Sequence, residues 1–106
     1  MTIVIMETWV VKPEKQTEWS KLWQRYLKYI KDNPKLVKEM KWSKSYMQMF
    51  GGVYGAHVEL AEYNSLADYE KMFNRLLKDL GFMKIFQEAM PLMDATTYTS
   101  NVWTSL

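Results

Sequence analysis

Two side chains are of a type suited to proton transfer near neutral pH: His57, the only histidine, and Glu7, a carboxylate on the opening strand. Strand alternation groups Trp9, Trp42, Lys44, Tyr46, Gln48 and Glu59 with them. That face then combines rings able to stack with a few converging polar groups, the usual make-up of a small-molecule pocket. In this reading His57 or Glu7 abstracts a proton while Trp9 and Trp42 hold an aromatic substrate. Each residue also has a plainer role. His57 can be satisfied by Tyr46 or Glu7, Glu7 can be salt-bridged to Lys44, and Lys44 can pair with Glu59 across strands. One histidine and no cysteine leave only a His/Glu/Glu set without helical ligand spacing, so no metal site is expected.

The elements that must position these residues are readable in order. Thr2–Val11 is β-rich and apolar on both faces, with Ile3, Ile5, Trp9 and Val11 on one and Val4, Met6 and Val10 on the other. Pro13 suits the first position of a helix. Trp19, Leu22, Trp23, Tyr26, Leu27, Tyr29 and Ile30 then share one helical face, an arc of about 160°. Asp32-Asn33-Pro34 ends it. Residues 37–50 read as a second strand, and Gly51-Gly52 as a tight turn into a third. With that loop, Tyr46 faces His57, Lys44 faces Glu59 and Trp42 faces Ala61. Ser45 and Val58 belong to the opposite, more apolar face, which suits a cover of helices. Ser65 with Asp68 has the form of a capping box, and the apolar spacing from Leu66 to Leu80 predicts a second helix closed by Gly81. A short helix over 82–90 and a threonine-rich final strand over 95–104 complete the chain.

The order β-α-β-β-α-(α)-β is ferredoxin-like, α+β, with a four-stranded antiparallel sheet and the helices on one face. Residues 1–106 are expected to form one domain. A first strand apolar on both sides needs a second cover that the chain does not supply, so a homodimer is expected, with higher oligomers open. Two sheets face to face would enclose a lumen, and the polar-aromatic residues named above are placed in it.

Composition sets the outer limits. The chain is 48% hydrophobic and 15% aromatic with five Trp and seven Tyr, more ring surface than a small monomer easily hides. Net charge is +2, with ten basic and four acidic residues between Lys12 and Lys44. Only Arg25 and Arg75 are arginines and no nucleic-acid-binding motif accompanies them, so the charge reads as a solvated face and no nucleic acid partner is expected. No long apolar run or signal-peptide pattern is present, so neither a membrane partner nor export is expected and the location reads as cytoplasmic.

The stretch Glu7-Thr8-Trp9-Val10-Val11-Lys12-Pro13 is similar to a first strand running into "K-P-G", and Leu60-Ala61-Glu62-Tyr63-Asn64-Ser65-Leu66-Ala67 is similar to "L-W-E-Y-D-S-L-A". Met90-Pro91-Leu92 is a third echo. In these the chain resembles the dimeric α+β-barrel superfamily, and within it the NIPSNAP-like and antibiotic-biosynthesis-monooxygenase-like small proteins. The resemblance implies a dimeric barrel holding a small-molecule ligand. The activity it implies is that of a cofactor-independent oxygenase or isomerase on an aromatic or polyketide-like substrate. The alternative is a non-catalytic ligand-binding or structural and assembly module of NIPSNAP-like type. Some relatives bind haem through a histidine on a helix; no helix here carries one, and no cofactor is expected. NIPSNAP-like chains often have Arg where this chain has Glu7, His where it has Glu59 and Trp where it has Ala61, so no family site residue is carried over.

Overall fold

A computed structural model describes residues 1–106. Four strands, β1 (Ile3–Val11), β2 (Trp42–Met47), β3 (Ala56–Tyr63) and β4 (Met93–Thr104), form one sheet in the order β2-β3-β1-β4, with every neighbouring pair antiparallel. The helices are α1 (Gln16–Asp32), α2 (Leu66–Leu77) and α3 (Leu80–Ala89). This is the α+β, ferredoxin-like arrangement expected from the sequence, with β1 and β3 central.

Side-chain size decides which face of β1 goes under the helices. Ile5, Trp9 and Val11 are buried, whereas Val4, Met6, Thr8 and Val10 on the other face are half-buried. The buried set packs in two clusters. One joins Trp9 and Val11 to Trp19 and Leu22 of α1 and Ile85 of α3. The other joins Ile5, Ala61 and Tyr63 to Met72 and Leu76 of α2.

The β2–β3 connection departs from expectation. It spans residues 48–55 instead of two glycines, and Gly51, Gly52 and Gly55 all take positive φ. Gly55 is fixed by close approach as well, because a Cβ there would lie 2.4 Å from the Val11 carbonyl oxygen. The longer loop shifts the pairing by one residue. Trp42 is opposite Glu62, Lys44 opposite Leu60 and Tyr46 opposite Val58, while Ser45 faces Glu59 and Met47 faces His57. A one-residue shift exchanges the faces of an entire strand. The small residues Ser43 and Ser45 keep the helix side expected of them, but they now share it with Glu59 and His57 in place of Val58 and Leu60. Trp42, Lys44 and Tyr46 lie on the open face, where Trp42 and Tyr46 are 38% and 53% exposed.

The second helix and the short helix after it are both present, with the break between them a few residues earlier than the sequence suggested. Ser65 caps α2, its Oγ accepting from the Asp68 N–H at 3.2 Å. The chain then breaks after Leu77, and Asp79 caps α3 by accepting from the Phe82 N–H at 2.9 Å. Gly81 is inside the first turn of α3 and closes no helix. It is glycine because the Tyr29 ring lies against it: an added Cβ would be 2.2 Å from the phenol oxygen. Tyr29 donates that phenol proton to Asp79, which ties α1 to the break.

β2 starts at Trp42, later than residue 37 where the sequence suggested, and the segment before it, residues 34–41, holds a short 3-10 turn over Pro34–Val37. This segment is clamped to α2 by Arg75, which donates to both Glu39 oxygens at 2.7 and 2.6 Å and to the Leu36 carbonyl at 3.1 Å. The Arg75 hydrogen bonds hold the Glu39 carboxyl down to about 2. A carboxylate whose pKa is depressed on folding adds stability above its ordinary pKa and loses it as pH falls toward the folded value. Glu39→Gln is therefore expected to lower stability by about 1–3 kcal/mol at pH 7. In urea titrations at several pH values, that deficit should shrink between about pH 4.5 and pH 2.

Candidate functional site

Between the sheet and the helices lies a cavity of about 410 Å³. It is walled from both core clusters, by Trp9, Trp19 and Ile85 on one side and Tyr63, Met72 and Leu76 on the other. Rim residues Phe73, Phe86, Met90 and Tyr98 are 37–43% exposed, so the mouth lies where α2 and α3 approach β4. Nineteen of its 21 lining residues are hydrophobic, and the two others are Glu7 and Glu59.

The two carboxylates reach the cavity because Glu7 and Glu59 are direct cross-strand partners on the helix-facing side of the central strands. Ser45 of β2 completes the row at one side, 3.5 Å from Glu59 Oε2, at the outer limit of a hydrogen bond. On the other side the Tyr98 phenol of β4 donates to Glu7 Oε2. Burial first and the Glu7 charge second raise the Glu59 carboxyl to about 7, with Ser45 opposing weakly. Burial likewise raises the phenols of Tyr26, Tyr63, Tyr69 and Tyr98, so all four stay neutral donors at ordinary pH. The arrangement is a neutral-pH proton donor or acceptor held in an apolar, aromatic chamber.

Other expected site residues are placed differently. Glu7, Trp9 and Glu59 are together, but under the helices and not on the open face. His57 is on their side of the sheet, stacked on Trp9 with centroids 5.9 Å apart and 7° between planes, and it lines a separate cavity of about 180 Å³. Burial lowers its pKa, and neither Tyr46 nor Glu7 bonds it; its Nε2 and the Trp9 Nε1 have no partner among the protein's own groups. Trp42, Lys44 and Tyr46 are on the opposite face, with Lys44 Nζ 5.6 Å from the Trp42 ring centre and Trp42 Nε1 donating to Glu62 at 3.0 Å. Lys44 therefore pairs with neither Glu7 nor Glu59. Gln48 is exposed in the 48–55 loop, its amide donating to the Phe50 carbonyl. No group of three or more His, Cys, Asp or Glu is arranged to hold a metal ion.

Tyr98 was not legible in the sequence because a shift in the β1–β4 register between Thr8 and Val10 resets the facing of β4. At the shift the Val10 N–H bonds the Thr97 hydroxyl at 2.9 Å. The threonine run over residues 96–99 is the visible trace of that irregularity.

The NIPSNAP family profile matches residues 4–104. The chain belongs to the NIPSNAP family. Among solved structures, this NIPSNAP chain is similar to a NIPSNAP family protein from Agrobacterium tumefaciens (TM-score 0.83, 14% identity, 100% of this chain and 94% of that one). It is also similar to an uncharacterized NIPSNAP domain protein from Burkholderia xenovorans (TM-score 0.80, 16% identity, covering 98% and 94%). A more distant likeness is to SnoaB, a cofactor-independent oxygenase from Streptomyces nogalater, solved in a mutant form (TM-score 0.65, 12% identity, covering 98% and 92%). At these identities the likeness is one of fold. No curated protein matches the chain. No helix is long and apolar enough to cross a membrane.

A carboxyl whose pKa is raised on folding costs stability once it ionises, so the Glu59 penalty is absent below about pH 4.5 and complete above about pH 7. Glu59→Gln removes the penalty. The NIPSNAP variant is expected to be more stable than the parent at pH 8, by up to about 3 kcal/mol, with the advantage gone at pH 4. Thermal melts across that range measure it, and a pH-independent difference would contradict the burial of this group.

Proposed function

We propose that the protein binds an aromatic small molecule in the cavity between sheet and helices and moves a proton on it, with Glu59 as the acid or base. The chemistry is that of a cofactor-independent isomerase or oxygenase. The observation that carries this reading is the Glu7–Glu59 pair, the only carboxylates in an otherwise apolar and aromatic wall. A general base works best with a pKa near the working pH, and burial brings Glu59 there. Tyr98 holds Glu7, so the second carboxylate orients and polarises while Glu59 exchanges the proton. His57 lies outside the cavity and supports the Trp9 wall by stacking. The likeness of the fold to a cofactor-independent oxygenase is in keeping with this class of chemistry.

The test is exchange of an acidic C–H in deuterated buffer, with anthrone as a neutral aromatic probe, followed by mass spectrometry. The parent should accelerate exchange, and Glu59→Gln should lower the rate about 10²–10⁴-fold. Ala95→Trp, which places a ring at the exposed rim of the cavity, should weaken probe binding as well. Tight binding with no acceleration of exchange would favour the non-catalytic, ligand-holding reading.

We further infer a homodimer. The face of the sheet away from the helices carries half-buried Val4, Met6, Val58 and Leu60, flanked by exposed Tyr46 and Trp103, and no element of the chain covers it. A contiguous apolar sheet face of this kind is a contact surface, and an identical face is self-complementary about a twofold axis. Light scattering should give the mass of two chains at micromolar concentration. Val58→Lys with Leu60→Lys should give one.

A further inference from the structure

We propose that the cavity under the helices selects aromatic ligands that carry a positive charge, an arylalkyl ammonium group seated between Glu7 and Glu59. The inference rests on the reading of this cavity as the ligand site and names the class of ligand it takes. The lining holds two carboxylates and no lysine, arginine or histidine, so an anion entering it meets only like charge. The Lys44 that might have balanced the pair is on the other face of the sheet, opposite Leu60. The nearest polar neighbours are neutral: Ser45 from β2, Tyr98 from β4, Tyr63 beside them on β3, Tyr26 from α1 and Tyr69 from α2. The cavity lining from α3 has no titratable group. A desolvated cation here gains two charge-assisted hydrogen bonds and the electron-rich faces of the surrounding rings.

The charge also couples binding to protonation. Near pH 7 the Glu59 carboxyl holds its proton about half the time, because ionising it in an apolar wall beside Glu7 is unfavourable. An ammonium between the two carboxylates reverses that preference and expels the proton to solvent. The ligand thereby leaves Glu59 as the free carboxylate, the form that serves as base.

The experiment is isothermal titration calorimetry of the full chain with naphthalen-2-ylmethylamine and with the neutral naphthalen-2-ylmethanol, each between pH 6 and pH 8. The amine stays cationic throughout this range. It is expected to bind about tenfold or more tighter than the alcohol at pH 8, with affinity falling toward pH 6. Titration in two buffers of different ionisation enthalpy should show about half a proton released per amine at pH 7, and none for the alcohol. Glu7→Gln and Glu59→Gln should each erase most of the amine's advantage over the alcohol. If either variant fails to fold, the pH and proton-release measurements on the parent decide alone. Equal affinities for amine and alcohol, with no proton released, would overturn the charge preference and leave the cavity as a ligand site. Binding of neither probe would overturn both.

Discussion

Two like-charged side chains placed side by side on the central strands, beneath helices, constrain everything else in this molecule. Glu7 and Glu59 cannot be accommodated by close apolar packing, and no cation is close enough to neutralise them. The surrounding elements respond by standing apart: the core forms two clusters with the chamber between them. Ser45 beside Glu59 and Tyr98 diagonally beside Glu7 supply the few hydrogen bonds the carboxylates have. Burial of unpaired charge costs stability and is commonly retained where it serves chemistry.

Much of the architecture was legible because it depends on local rules. The β1 alternation, the helical face from Trp19 to Ile30, and the Ser65 cap each follow from neighbouring residues, and together they give the split βαβ order. The pairing of β2 with β3 was not legible, since it depends on a loop whose length is set by a distant contact. Gly55 closes against Val11, and the register of Trp42–Met47 follows from where that contact falls. Two glycines in sequence resembled a tight turn; the third, Gly55, was the informative one.

Of the site, the residue types were readable and their sides were not. Glu7, Trp9 and Glu59 belong together as the alternation predicts. They lie under the helices because Ile5, Trp9 and Val11 are the bulkier set of β1 and the helices bury it. Trp42, Lys44 and Tyr46 were separated from them by the one-residue shift alone. A parity error of this kind separates whole rows of side chains at once: Trp42, Lys44 and Tyr46 keep the open face expected of them, while Glu7, Trp9, His57 and Glu59 lie on the other side. The break between α2 and α3 was legible but its place was not: the Asp79 cap that sets it is held by the Tyr29 phenol, which comes from a separate part of the chain.

A chamber of about 410 Å³ that divides the core also gives the domain an unusual mechanical character. Hydrostatic pressure favours whichever state occupies less volume, and unfolding abolishes internal space that the folded chain must keep open. The same space that admits a guest makes the domain compressible. An occupant that fills it would stiffen the fold against pressure as well as against heat.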